Sequence, residues 1–292
     1  MPKTRHQVVI MQSLILEGGT FRPVFSCGIM DCLLDHKLYF PYVIGVSAGI
    51  TDGMSYLSRQ KGRNLEVFMR YRNDKRYVGI GNLMKHQSLF GLDFVYDEVP
   101  NKLLPFDWQA FYDYPGQGWV GVTNADTGEA EYINCQLLDK QCTMLRATCA
   151  IPLVFPAIEL NGKRFYDGGL ADPIPIRKAI ADGCDKHLII LTRCKGYVKE
   201  LSKQNIVAAK VLKKKYPKLV PLLETRHLAY NETVQFCEQL EREGKALILR
   251  PEWPIESFEK DLNKLQAAYD MGYQMAEAHL DEIKAILKPS NK

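Results

Sequence analysis

Twice before residue 58 the chain runs from a stretch of branched apolar residues through a glycine-bearing turn into a helical pattern. Residues 8–16 read as a buried strand leading into Gly18-Gly19, and residues 24–35 space their apolar side chains for a helix, with Pro23 suited to its first turn. Residues 42–46 are a second short buried strand and residues 48–57 a second helix. Strands that are apolar on both faces must be covered on both, which is the arrangement of a parallel sheet between helical layers. The expected fold is therefore α/β, a three-layer α/β/α sandwich around a mainly parallel sheet.

Further strands are expected at 119–123 and 131–134, flanking a turn at 124–128, then at 164–167 and 186–192, with a helix at 176–181. Residues 60–118 are rich in aromatic side chains with scattered Gly and Pro. They read as irregular structure that packs aromatics into the core, or more sharply as a cap over an apolar substrate channel. After Lys195 helical patterns dominate, interrupted by Pro217 and Pro221, with one short strand at 246–250. Residues 261–287 place Leu265, Tyr269, Tyr273, Ala276 and Ile283 on one helical face. The chain thus divides into an α/β domain over residues 1–195 and a mostly helical extension over residues 196–292, packed on it.

With 292 residues, 46% of them hydrophobic, a sizeable core forms without covalent staples. None of the eight cysteines makes a C-x-x-C pair, so zinc and thioredoxin-like readings are weak, and reduced, buried thiols in a cytoplasm are expected. A net charge of +4 is too mild to imply nucleic acid, and no aromatic-interleaved recognition motif accompanies the lysines. No signal peptide is read in residues 1–16, and no apolar run approaches the roughly 18 residues of a membrane span. A lipid would be approached from the water side. The cluster Lys199, Lys203, Lys210, Lys213, Lys214, Lys215 and Lys218 is a solvated helix face, or a docking surface for anionic lipid headgroups at about 1 kcal/mol per lysine.

Three short motifs carry chemistry. Gly45-Val46-Ser47-Ala48-Gly49 is a G-x-S-x-G pentapeptide between strand and helix, which holds a serine hydroxyl exposed on a sharp turn. Glu17-Gly18-Gly19-Thr20-Phe21-Arg22 is a glycine turn whose successive N–H groups suit a phosphate or the oxyanion of acyl transfer. The nucleotide-binding fingerprints are not met. Arg22 neutralises charge or braces the loop. Asp167-Gly168-Gly169 follows a strand, and its carboxylate is either a general base for Ser47 or an ordinary Asp-Gly turn residue.

Together, the glycine turn, G-x-S-x-G within about 30 residues and D-G-G far downstream resemble the patatin-like phospholipase family. The segments 146–156 and 172–175 are similar to the same family, and residues 216–272 to the helical extension of its bacterial branch. The resemblance implies a patatin-like catalytic domain that hydrolyses fatty-acyl esters of phospholipids or related lipids. It makes Ser47 the nucleophile, Asp167 the base and the backbone of Gly18, Gly19 and Thr20 the oxyanion hole, supported by Arg22, Gly45, Gly49, Gly168 and Gly169. No metal or organic cofactor is implied, and the partners are lipid substrate and, peripherally, a membrane surface. Two residues depart from the family: Thr20 replaces a glycine and is expected to hold φ negative, and Pro23 removes a donor.

Two rivals remain. A Ser-His-Asp esterase or thioesterase needs a histidine after the acid, and His187, His227 and His279 are available. A catalytically silent lipid- or anion-binding protein would have no need of Ser47 and Asp167 together.

Overall fold

The structure, a computed structural model, describes residues 11–288. The start of the first expected strand, residues 8–10, lies outside them. In chain order the elements are β1 (Met11–Leu16), α1 (Val24–Asp35), β2 (Tyr42–Val46), α2 (Ser47–Leu57), α3 (Arg63–Tyr71) and α4 (Ile80–His86). A π-helical segment (Phe94–Leu103) and α5 (Trp108–Tyr112) precede β3 (Gln117–Asn124), β4 (Ala130–Asn134), α6 (Thr143–Thr148), β5 (Ile158–Leu160) and β6 (Lys163–Asp167). Then come α7 (Ile176–Ala181), β7 (Cys184–Ile190), α8 (Lys203–Leu212), α9 (Leu219–Arg242), β8 (Ala246–Leu249), α10 (Leu262–Ala278) and α11 (Leu280–Leu287).

The sheet runs β5-β6-β3-β2-β1-β7-β8, with β4 also on β3. From β3 to β8 every pairing is parallel, while β4, β5 and β6 join antiparallel. Period-2 alternation sends Leu14, Leu16, Val43, Leu188 and Ile190 into one core with residues of α1, α2, α3 and α10. It sends Ile15, Tyr42, Ile44, Ile189 and Leu191 into another with α7 and α9. The result is the three-layer sandwich with a mainly parallel central sheet.

The C-terminal residues complete this sandwich. β8 adds the last parallel strand to β7, and α10 lies against α1. The crossing is close enough that a Cβ on Gly28 would meet the Tyr269 carbonyl oxygen at 2.0 Å, and one on Gly272 the Phe25 carbonyl oxygen at 2.0 Å. Tyr269 Oη donates to Asp31 at 2.7 Å, and His36 Nε2 and Cys32 Sγ both meet Glu277 Oε2 across the same contact.

Three local expectations differ. Residues 60–118, expected to be irregular, carry α3, α4, the π-helical segment and α5. The single helix expected over 261–287 is broken at His279 (φ −103°, ψ 19°), after which α11 packs Ile283 and Ile286 separately. Pro221 does not interrupt a helix, because it falls in the first turn of α9, where its missing N–H has no acceptor to lose.

Gly272→Ala is expected to destabilise the fold by about 1–3 kcal/mol through overpacking at the α1–α10 crossing. A lowered urea midpoint with native-like secondary structure below it is the readout.

Candidate active site

Ser47 and Asp167 come from two strands that end on one edge of β3. Gly121 of β3 pairs with Val46 on one side and Tyr132 on the other, and Thr123 pairs with Ala130 and Tyr166. Since β4 occupies one edge, β2 and β6 share the opposite edge, one beyond the other. β2 ends with Val46 opposite Gly121, and β6 returns antiparallel to end with Asp167 opposite Val122. The next residue after Val46 is Ser47, so serine and aspartate are set at neighbouring positions by register. Small residues make this possible: a Cβ on Gly168 would meet the Gly121 oxygen at 2.1 Å.

Ser47 sits on a sharp elbow with φ +53°, a left-handed conformation costly for a residue with a side chain. Its N–H donates to Thr148 Oγ1 at 2.8 Å, and Thr148 Oγ1 donates to the Gly121 carbonyl at 2.5 Å. Thr148 therefore ties the elbow to β3. The flanking glycines let the elbow approach β1: a Cβ on Gly45 would meet the Leu16 oxygen at 2.7 Å, and one on Gly49 the Glu17 oxygen at 2.4 Å.

Asp167 is buried, and Oδ1 accepts from Gly169 N at 2.8 Å, so it is a turn residue and a neighbour of the serine at once. Burial raises its carboxyl above the ordinary range; Arg226, the Ser47 hydroxyl and the Gly169 amide counter this by favouring the charged form. Arg226, on α9, donates from Nε to the Gly169 carbonyl at 2.7 Å. It clamps the turn that carries the aspartate.

The glycine turn faces Ser47 directly: a Cβ on Gly18 would meet Ser47 Cβ at 2.7 Å. Thr20 does not hold negative φ as expected but adopts φ +62°, following Gly19 at φ +155°. The loop is braced instead by Arg22, whose guanidinium lies under Gly19 and donates to Thr192 Oγ1 at 3.2 Å and to Ser257. Thr192 Oγ1 in turn donates to the Gly18 carbonyl at 2.9 Å. Among the described residues the amides of Gly18, Gly19 and Thr20 find no backbone acceptor, whereas those of Glu17, Phe21 and Arg22 do. Pro23, at the N-terminal cap of α1, costs the loop nothing it uses.

Ser47, Asp167, Gly18, Gly19, Thr20 and Arg22 line one cavity of about 290 Å³. Behind Ser47 two smaller apolar cavities of about 60 and 70 Å³ share Thr51, Asp52, Phe68, Tyr77, Val95 and Tyr96. Both are walled by the aromatic segment between α3 and α5; the smaller one also touches Ser47, Phe21 and Phe155. Asp52 in this wall is buried and pushed up to about 8, chiefly by desolvation, which favours its uncharged form; Arg63 in the same wall opposes this.

No described histidine lines the Ser47 cavity. His187 is buried on β7 against Ser13 Oγ (2.7 Å), and burial lowers it to about 4; His279 bonds Glu282, and His227 lies on α9. One Cys/His/Glu group, Cys32, His36 and Glu277, has its ligand-type atoms close together, at the α1–α10 contact. The residues that sequence reasoning missed are Thr148 and Arg226. Thr148 lay within a segment already noted for its family resemblance, while nothing local distinguished Arg226 from other surface-type arginines.

The family model described as patatin-like phospholipase matches residues 14–180, and one described as a domain of unknown function (DUF6363) matches residues 216–288. Among curated proteins, the chain is 26% identical over 186 residues to the uncharacterized protein YjjU of Escherichia coli, a match covering 62% of this chain and 51% of that protein. It is 22% identical over 288 residues to lysophospholipase NTE1 of Candida glabrata, covering 92% of this chain and 16% of that one. The chain thus spans about half the length of the first relative and a small part of the second. Among solved structures, VipD from Legionella pneumophila aligns with a TM-score of 0.46 at 13% identity, over 94% of this chain and 67% of that chain.

Thr148→Val is expected to leave the Ser47 N–H without its acceptor. It should lower stability by about 1–3 kcal/mol, read as a urea midpoint, while Thr148→Ser retains most of it. Asp167→Asn is expected to raise the melting temperature. The folded carboxyl is raised above its unfolded value, so its favourable contribution is present when protonated and is lost as pH rises through the folded value. At pH 7 the charge is a net cost that the isosteric amide removes, and scanning calorimetry should show a rise at pH 7 that shrinks as pH falls and is lost below the ordinary carboxyl value of 3.8.

Proposed function

The chain belongs to the patatin-like phospholipase family, and from that membership we propose that it is a serine acyl hydrolase that cleaves fatty-acyl esters with a Ser47–Asp167 dyad. The single observation that carries this reading is the shared edge of β3, which brings the serine elbow and a buried carboxylate together in one cavity. Asp167 accepts the Ser47 Oγ proton as Oγ attacks the ester carbonyl carbon. The free amides of Gly18, Gly19 and Thr20 receive the oxyanion. Collapse breaks the bond to the alcohol oxygen, which leaves with the proton held by Asp167. Water then gives a proton to Asp167 and attacks the acyl-serine; Ser47 recovers the proton and the fatty acid departs.

The two small cavities are read as one apolar channel behind Ser47, which supports a long acyl chain as the group transferred. We read residues 1–195 as the catalytic domain, with Ser47, Asp167 and the glycine loop, and residues 196–292 as its extension, from which Arg226 and Tyr230 join the cavity wall. Among the described residues no helix is long and apolar enough to cross a membrane. Contact with lipid is assigned to α8. It forms part of the cavity rim and exposes Ile206, Val207 and Val211 beside Lys203, Lys210 and Lys213. The eight free cysteines suit a reducing cytoplasm.

Release of p-nitrophenol from esters of increasing acyl length tests the reading. Wild type is expected to prefer chains of eight or more carbons by about tenfold in kcat/KM. Phe68→Trp, which fills the channel, should abolish that preference while acetyl ester turnover persists. Turnover that survives Ser47→Ala would end the proposal.

A further inference from the structure

α1 and α10 run side by side in the same direction, and their contacts repeat every four residues. Gly28 meets the backbone of Tyr269 and Tyr273. Asp31 accepts from Tyr269 Oη at 2.7 Å, and Asp35 accepts from Tyr273 Oη at 2.7 Å. Residues four apart lie on one helix face, so the next in register are Cys32 and His36 on one side and Glu277 on the other. At this rung no tyrosine caps a carboxylate. Glu277 Oε2 instead meets Cys32 Sγ at 3.3 Å and His36 Nε2 at 2.8 Å.

A thiol, an imidazole and a carboxylate are the ligand types of zinc, and here they have its spacing. Cys32 and His36 stand one helical turn apart, a C-x-x-x-H pattern in place of a C-x-x-C. Zinc bonds of about 2.3 Å to sulfur and about 2.0–2.2 Å to nitrogen and oxygen give a tetrahedron with edges of about 3.3–3.6 Å. The sulfur–oxygen separation already matches such an edge, and all three donor atoms lie within 4.8 Å of one another. Only the His36–Glu277 pair has to open, by about 0.5 Å. The side chains of His36 and Glu277 are 30% and 49% exposed, which gives them room to move and an ion a way in. Among the described residues no other trio of His, Cys, Asp or Glu brings its ligand atoms this close.

The surrounding charges fit a divalent ion. Lys61, the nearest cation on the α1 side, is paired with Asp35 at 2.6 Å, and Lys284 of α11 acts on Glu277. One thiolate and one carboxylate neutralise the ion. Without it, burial and then Glu277 push the Cys32 thiol up to about 12; the ion takes the place of that proton, which leaves to solvent. Calcium and magnesium, which want oxygen ligands, are a poor match for sulfur and imidazole.

We propose that Cys32, His36 and Glu277 form a zinc site, with water in the fourth position, that pins α10 of the extension to α1. The site is independent of the reading of Ser47. α1 spans about 18 Å, and the three ligands gather at the end away from the glycine turn.

The test uses the full-length protein, kept reduced and freed of metal with a chelator. Calorimetry is expected to show one equivalent of zinc bound with a Kd of about 1 μM or tighter. Zinc should raise the melting temperature, since the ligands come together only in the folded chain. Cobalt(II) in place of zinc should give thiolate-to-metal charge transfer and visible bands of tetrahedral strength. The charge transfer should vanish in Cys32→Ser and persist in Cys194→Ser. His36→Gln and Glu277→Gln, at partly exposed positions, should each weaken zinc at least about tenfold while the circular dichroism spectrum stays native. These two variants decide the matter even where Cys32→Ser does not fold. Zinc bound no tighter than about 100 μM overturns the proposal. So does charge transfer that survives Cys32→Ser, or wild-type affinity in both His36→Gln and Glu277→Gln, since the group would then be only a hydrogen-bonded helix contact.

Discussion

The site depends on a register constraint: two strands end, from opposite directions, on the same edge of β3. β2 stops opposite Gly121 and β6 stops opposite Val122. Neither Ser47 nor Asp167 needs a long reach to meet the other, because hydrogen-bond pairing in the sheet has already set their separation. The glycines around the junction follow from this. A side chain at Gly168 would strike β3, and one at Gly49 would strike the end of β1. Thr148 supplies what the elbow lacks, an acceptor for the Ser47 amide and a link to β3. A left-handed serine persists because its surroundings over-determine it.

The same junction divides the surroundings of Ser47 into two chemical halves. Phe68, Tyr77, Val95 and Tyr96 wall the two small cavities, and burial favours the uncharged form of Asp52 there. Arg193, Lys199 and Arg226 stand with Glu17 and Glu200 around the larger cavity, which Ser47 also lines. The second half draws on α9, so the C-terminal residues contribute to the cavity as well as to the sheet and to the layer over α1. An extension read from sequence as packed on the α/β domain is joined to it through backbone pairing and through a helix crossing with no room for a methyl group.

Much of this was legible in the sequence because it is local. Branched apolar runs followed by glycine turns mark β1 and β2, and a serine flanked by glycines marks the elbow. What was not legible depends on distant partners. Arg226 becomes a clamp only when α9 passes the Gly168–Leu170 turn. Thr148 is one of many threonines until β3 lies beside it. The left-handed φ of Thr20 contradicts residue preference, and the Arg22, Thr192 and Ser257 brace from three separate segments accompanies it. The break at His279 leaves no mark in the apolar periodicity, which continues through it. The aromatic segment before β3 folds as α3, α4, a π-helical segment and α5, each too short to mark a clear period among its scattered Gly and Pro.

Covalent labelling by a fluorophosphonate, with the modified peptide identified by mass spectrometry, tests the dyad most directly. The account predicts a single adduct on Ser47, absent in Ser47→Ala, slowed by about a hundredfold or more in Asp167→Asn, and indifferent to His187→Ala and His227→Ala. Labelling that persists at the wild-type rate in Asp167→Asn and disappears with one of the histidines would contradict it and replace the dyad with a histidine-based triad.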